Sequence, residues 1–246
     1  MRIAVLADIH GNVRALEAVI ADLRERRVDR VVNLGDCLSG PLEAADTAAL
    51  LMRQDWLTVR GNHDRWLVET PPAQLSPSDR AAADQIDDAV RDWLRKLPAT
   101  RRLEDVLLVH GTATSDTTYL TERVTPHGVT LRPDEEIARD LDAFDGTLVL
   151  CGHSHVPRLV ALSDGQTVFN PGSVGLPAYD DDHPAWHAME VGSPHARYGV
   201  IERTASGWRF EHHAVDYDWR GAADAALNVG RRDWAHALST GFALRS

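Results

Sequence analysis

Residues 3–10 read Ile3-Ala4-Val5-Leu6-Ala7-Asp8-Ile9-His10, and the organisation of the chain follows from them. Ile3 to Ala7 is a continuous apolar run, the pattern of a short strand buried on both faces. A carboxylate and an imidazole follow it, Asp8 and His10. Residues i and i+2 leaving a strand point to the same side, so the two converge. A helical stretch comes next, Val13 to Arg26, with Leu16, Val19, Ile20 and Leu23 on one stripe. Val31-Val32-Asn33-Leu34 is a second strand, residues 43–52 a second helix, and Trp56-Leu57-Thr58-Val59 a third strand. This β-α-β-α-β rhythm predicts parallel strands joined by crossover helices.

Working outward, residues 70–80 are rich in Pro and Ser and read as a loop. Residues 79–97 form one polar amphipathic helix carrying Ile86, Val90, Trp93, Leu94 and Leu97. Val106 to Val109 is a buried strand, residues 121–133 read as irregular, residues 134–144 as helix and residues 147–151 as strand. Beyond that, residues 156–162, 167–169, 197–203 and 208–215 are strand-like, with Asp164-Gly165 and Ser206-Gly207 as hairpin turns. Residues 219–242 are Ala-rich and helical. The expected layout is an α/β first half, a largely antiparallel second half and a helical tail, in a single domain over residues 1–246.

The 246 residues carry 43% apolar and 26% charged side chains, ordinary globular usage, and can bury a sizeable core. No apolar run approaches the roughly 20 residues that cross a bilayer. The N-terminal apolar segment is too short, and charged too early, for a signal peptide, so the expected location is cytoplasmic. Cys37 and Cys151 show no CxxC spacing and read as small buried thiols in a reducing compartment. A formal net charge of −11 argues against binding duplex nucleic acid, but not against a small anionic substrate drawn to a local positive spot.

Chemistry-bearing residues follow strand after strand: Asp8-Ile9-His10, Gly35-Asp36, Gly61-Asn62-His63-Asp64, His110-Gly111 and Gly152-His153-Ser154-His155. In open α/β sheets, sites form outside the carboxyl ends of strands, so all of these arrive at one edge. Oxygen and imidazole donors together suit two divalent ions of the Mn, Fe, Co, Zn or Ni type. Calcium would take oxygens only, and structural zinc would usually show thiolates.

As an ordered set, these motifs resemble the calcineurin-like metallophosphoesterase superfamily. Asn170-Pro171-Gly172-Ser173-Val174-Gly175 is similar to its small bacterial and archaeal phosphodiesterase branch. The resemblance implies an α/β sandwich in which two mixed sheets pack face to face between helices. It also implies roles. Asp8, His10 and His155 would hold one metal, Asn62, His110 and His153 the other, with Asp36 bridging. His63 would be the catalytic histidine that does not bind metal, Asp64 its orienting partner, and residues 170–175 would shape the wall of the site. Metals about 3.5–4 Å apart can share a water, turn it to hydroxide and clamp a phosphate for in-line attack.

Three segments depart from that pattern: an insertion over residues 65–97, an extra loop over residues 176–195, and the tail over 219–242. The insertion and tail are candidates for a cap on the site or for a homo-oligomer surface. The loop reads either as solvated surface or as a substrate-facing lip in which Tyr179 or Trp186 stacks on a base, with His183 and His187 as candidates for a third metal. Trp93, Trp219 and Trp234 read as core anchors. The expected activity is hydrolysis of a small anionic phosphodiester or nucleotide-like substrate. Alternatives are a nucleoside or dinucleoside polyphosphate hydrolase, a phosphoprotein phosphatase, or a non-catalytic scaffold. Against the scaffold, every ligand position is filled.

Overall fold

The computed structural model describes residues 1–245. In chain order the elements are β1 (Arg2–Leu6), α1 (Val13–Arg26), β2 (Arg30–Asn33), α2 (Ala44–Leu51), β3 (Leu57–Thr58), α3 (Asn62–Glu69), a 3-10 turn (Pro72–Gln74), α4 (Pro77–Ala83) and α5 (Asp88–Lys96). Then come β4 (Thr100–Leu103), β5 (Val106–Val109), β6 (Glu122–Thr125), β7 (Gly128–Leu131), α6 (Asp134–Asp140), β8 (Leu148–Leu150), β9 (Arg158–Ala161) and β10 (Thr167–Asn170). The chain continues through β11 (Ala178–Asp181), β12 (His187–Glu190), β13 (Ala196–Thr204), β14 (Gly207–Val215), α7 (Trp219–Asn228) and α8 (Arg232–Thr240).

Two five-stranded mixed sheets, ordered β14-β13-β1-β2-β3 and β4-β5-β8-β10-β9, form the body. β1, β2 and β3 run parallel, as the rhythm predicts, and β13 closes antiparallel on the other side of β1. Alternation along β1 explains its unbroken apolar sequence. Ile3, Val5 and Ala7 meet Val106, Leu108, Leu148, Leu150 and Phe169 of the opposite sheet. Ala4 and Leu6 face the other way, into the layer with Leu16, Val19 and Leu23 of α1. A strand covered on both faces has no position for a polar side chain. The outer face of the second sheet is covered by Ile137 of α6, with Leu141 and Phe144 beyond it.

The structure revises several local expectations. The expected helix over residues 79–97 is two helices, because the Asp87 side chain accepts the Val90 N–H and starts α5 afresh. Residues 121–133, read as irregular, form the β6–β7 hairpin, and β4 pairs with β5 where no strand was expected. These three strands have no continuous buried apolar face, so periodicity missed them. Residues 176–195 hold the β11–β12 hairpin. The tail breaks between α7 and α8 at Gly230, whose φ is +79°. No helix among the described residues is long and apolar enough to cross a membrane.

Candidate metal centre

The carboxyl ends of β1, β2, β3, β5 and β8 meet at one edge of the sandwich. Asp8, His10 and His155 are buried together with their ligand atoms within 4.8 Å of one another, and Asp36, His110 and His153 form a second such group. Asn62 joins the second group, its Oδ1 lying 2.9 Å from His110 Nε2. Asp36 stands between the two: its Oδ2 is 3.2 Å from His110 Nε2 and 3.9 Å from His10 Nε2. Its Oδ1 accepts the His63 backbone N–H at 2.9 Å, and Oδ2 is the oxygen turned toward the imidazoles.

The imidazole tautomers are set from behind. Nδ1–H of His10 donates to the Ser39 carbonyl at 2.8 Å, that of His110 to Leu34 at 2.8 Å, and that of His155 to Leu176 at 2.7 Å. Carbonyls only accept, so each Nδ1 carries a proton, and His10 and His155, which burial holds neutral, present their Nε2 lone pairs inward. The Nε2 atoms of His10 and His155 are then 3.1 Å apart with no proton between them. Two lone pairs facing each other inside a protein need a cation, and this donor set of carboxylate, amide oxygen and imidazole fits a divalent one.

Charge leads to the same conclusion. Burial pushes the Asp8 carboxyl up to about 8. Burial also opposes ionisation of Asp36, but the imidazoles of His110 and His63 outweigh it and hold that carboxyl well below the usual range. Burial lowers His10 to about 4 and His153 to about 3, while Asp36 and Asp8 overcome the burial of His110 and raise it to about 10. The protein alone therefore cannot keep both carboxylates ionised and every imidazole neutral. Cations would.

The backbone is strained at these same residues. Asp8, His10, Asp36, His153 and His155 have φ between 52° and 68°, and the other non-glycine residues at positive φ among those described are Arg27 and Glu104. A left-handed residue with a Cβ costs on the order of 1–3 kcal/mol, and such strain gathers at functional sites. It is held from beneath by the segment after β10. Ser173 Oγ donates to the Asp8 carbonyl at 2.7 Å, and the Val174 and Gly175 N–H groups donate to Ala7 and Asp8 at 3.0 Å each. A Cβ on Gly175 would sit 1.7 Å from the Ile9 carbonyl oxygen. Residues 170–175, expected to shape the wall, are instead the buried support of the Asp8 turn.

His63, at the start of α3, lies beside both groups, 5.5 Å from the His10 ring. Its expected partner was Asp64, and the structure corrects this. As the third residue of α3, Asp64 turns back and accepts the N–H groups of Asp36, Cys37 and Gly61 at 2.9 Å each. The helix geometry takes it away from the imidazole and makes it the clasp of the Asp36 turn. The partner of His63 is Asp79 at the start of α4, whose Oδ1 accepts Nδ1–H at 2.7 Å. Burial lowers the His63 pKa, but Asp36 and Asp79 outweigh it and raise it to about 9. The sequence reading passed over Asp79. Its one local signal, the Ser76-x-x-Asp79 cap, starts the helix and carries no information about His63.

A cavity of about 1040 Å³ opens over the centre, lined by His10, Asp36, Asn62, His63, His153 and His155 and by the insertion, both hairpins and the tail. Tyr119 stacks on the His153 ring at 4.6 Å, and the Tyr179 hydroxyl is 2.9 Å from that of Tyr119 and 3.0 Å from the His153 carbonyl. Trp234 of α8 is edge-on to His10 at 6.0 Å, and Trp66 of α3 to His63 at 4.8 Å. Trp234, expected as a core anchor, packs with Leu42, Leu176 and Leu238 and also reaches the cavity. The third metal site does not form. The His183 side chain is 94% exposed, and His187 is buried with Tyr119 and the Ala185 carbonyl on its two nitrogens. Trp186 is exposed outside the cavity. Arg60, which precedes Gly61, pairs with Glu69.

A calcineurin-like phosphoesterase superfamily domain model matches residues 1–191. The chain belongs to that family. Among solved structures, a metallophosphoesterase from Sphaerobacter thermophilus is similar over 98% of this chain and 99% of its own, with 25% identity and a TM-score of 0.75. A hypothetical protein from Pyrococcus horikoshii OT3 shares the fold over 98% of both chains, at 18% identity and a TM-score of 0.72. An uncharacterized protein of Methanocaldococcus jannaschii is 25% identical over 197 residues, 71% of this chain and 76% of its own. The family's metal-dependent chemistry agrees with the ligand groups found here, and the superfamily fold with the two packed sheets.

Proposed function

We propose that this phosphoesterase is a dinuclear metal-dependent phosphodiesterase acting on a small phosphodiester or nucleotide-like substrate. In this reading, Asp8, His10 and His155 would hold one ion, and Asn62, His110 and His153 the other. Asp36 would be shared by both, and the position of its Oδ2 within 4 Å of an imidazole from each group carries the proposal. Two such ions, when bound, would supply an activated water and neutralise phosphate charge. The chain's own residues do the rest. The Nδ1 carbonyl contacts keep the three imidazoles in the ligating tautomer. Asp64 and residues 173–175 hold the strained turns in place, so little reorganisation is left for the moment of reaction. Asp79 holds His63 by Nδ1 and keeps it cationic, so Nε2 can give a proton to the departing oxygen.

Residues 1–246 serve as one catalytic domain, with the 65–97 insertion, the 176–195 hairpin and the 219–242 tail enclosing one cavity. Two buried thiols, Cys37 and Cys151, suit a reducing cytoplasm. The test is reconstitution with Mn, Co, Ni, Zn or Fe, measuring metal content and hydrolysis of bis(p-nitrophenyl) phosphate by wild type and Asp36→Ala. Turnover that depends on two ions and is lost in the variant is expected. A single ion, or activity indifferent to Asp36, refutes the bridging role.

A further inference from the structure

The lining of the cavity differs beside His63 and beside His153. Beside His63 stand Trp66, edge-on to its ring, and Trp234, edge-on to the neighbouring His10, with Arg231 bonded to Ser78 at 3.0 Å on the same lining. Beside His153 stand the Tyr119 ring and, on the two hairpins, Glu122, Arg123, Arg132 and Asp181. A phosphodiester carries two substituents on one phosphorus. In-line displacement puts the leaving oxygen opposite the attacking one. With His63 as the proton donor, as proposed above, the substituent that leaves is the one beside His63 and its neighbour Trp66.

The charges limit what can be bound there. Arg231 faces Asp233 through two contacts, 3.0 and 2.6 Å, and Arg132 holds Asp140 at 2.7 Å together with the Tyr119 and Leu120 carbonyls. Arg123 is paired with Glu136. Every arginine lining the cavity is thus neutralised by a carboxylate, and the β11 rim adds Asp180 and Asp181. A second phosphate on either substituent would meet paired guanidiniums and acidic side chains. Flat, uncharged rings would meet tryptophan.

We infer that the substrate is a diester of one phosphate whose leaving alcohol is an uncharged ring system of the nucleoside kind, seated against Trp66 and Trp234 beside His63. This rests on the phosphodiesterase reading and sharpens it. A water oxygen bonds to phosphorus and the P–O bond to the leaving alcohol breaks. The departing oxygen takes the bonding electron pair and the His63 proton, a monoester of the retained alcohol remains, and the proton the water gives up restores the His63 imidazolium through solvent. The polyphosphate hydrolase alternative is disfavoured, since its leaving group is itself a phosphate.

The test uses the metal-reconstituted full chain and methyl adenosine 5′-phosphate. Adenosine plus methyl phosphate should be the main products, and Trp66→Leu should lower kcat/KM roughly tenfold and shift the partition toward AMP plus methanol. ATP and diadenosine tetraphosphate should be worse substrates by on the order of 100-fold in kcat/KM. AMP as the main wild-type product, a partition indifferent to Trp66→Leu, or polyphosphates as the better substrates overturns this inference. Bis(p-nitrophenyl) phosphate is the control: failure to hydrolyse it overturns the diesterase reading itself, while its turnover alongside any of those results leaves that reading intact.

Discussion

Replacing Asp79 with Asn removes the charge opposite His63 and keeps the shape of the contact. Asp79 is nearly inaccessible and His63 a quarter exposed, at side-chain values of 2% and 25%, so water cannot take over the role. A hydrogen bond to a charged group is worth about 1.5–3 kcal/mol. At about 1.4 kcal/mol per factor of ten, that loss converts to roughly 10- to 150-fold in rate. It should fall on substrates whose leaving oxygen needs a proton. The assay therefore pairs an alkyl or nucleoside diester with an activated p-nitrophenyl diester, at matched metal content. Asp79→Asn should slow the first by that factor and the second by less than about threefold, and His63→Asn should show the same contrast more strongly. Asp64 provides the comparison. Asp64→Ala leaves three buried N–H groups without an acceptor. At about 1–3 kcal/mol each, that variant should lose stability and metal together, whatever the leaving group. If Asp79→Asn slows both diesters equally while keeping its metals, or slows neither, the positioning role is wrong.

Asp36→Ala should reduce the metal content from about two ions per chain and affect both sites, which elemental analysis checks. Chelation should lower the melting temperature, because ions present at about 100 times their Kd contribute about 2.7 kcal/mol, or roughly 5–10 °C for a chain of this length; an unchanged melt after verified metal removal counts against a preformed centre. Arg27, exposed at the end of α1 with φ of 52°, should be improved by Gly. Arg27→Gly is expected to raise the melting temperature by about 2–4 °C, a gain of about 1 kcal/mol. Cys37 and Cys151 are 0% and 1% exposed, and burial first of all pushes both thiols well up, so neither should react with a bulky thiol reagent in the native, metal-loaded protein. Rapid labelling of either would contradict their place beneath the metal-binding turns.

Sequence alone determined the parts of this protein whose cause is local or periodic. The apolar run Ile3 to Ala7 must be covered on both faces, and the β-α-β-α-β rhythm must bring successive strand ends to one edge. Asp8, His10, Asp36, Asn62, His110, His153 and His155 were legible because each sits directly after a strand, where chain direction fixes what it faces. Relations between segments distant in sequence were not legible. Asp64 is adjacent to His63 in sequence, yet helix geometry turns it onto the Asp36 backbone, and the carboxylate that reaches the imidazole arrives from 16 positions away. Likewise, Trp234 reads as an ordinary buried aromatic on an Ala-rich helix, and only the packing of α8 over the site places its ring against His10. Whether an arginine is free or neutralised is also a tertiary fact. Asp140 lies 8 positions from Arg132 and Glu136 13 positions from Arg123, and sequence spacing does not say that either pair meets. Side-chain periodicity reports which face of a strand or helix is buried, and only the folded arrangement decides which buried faces meet.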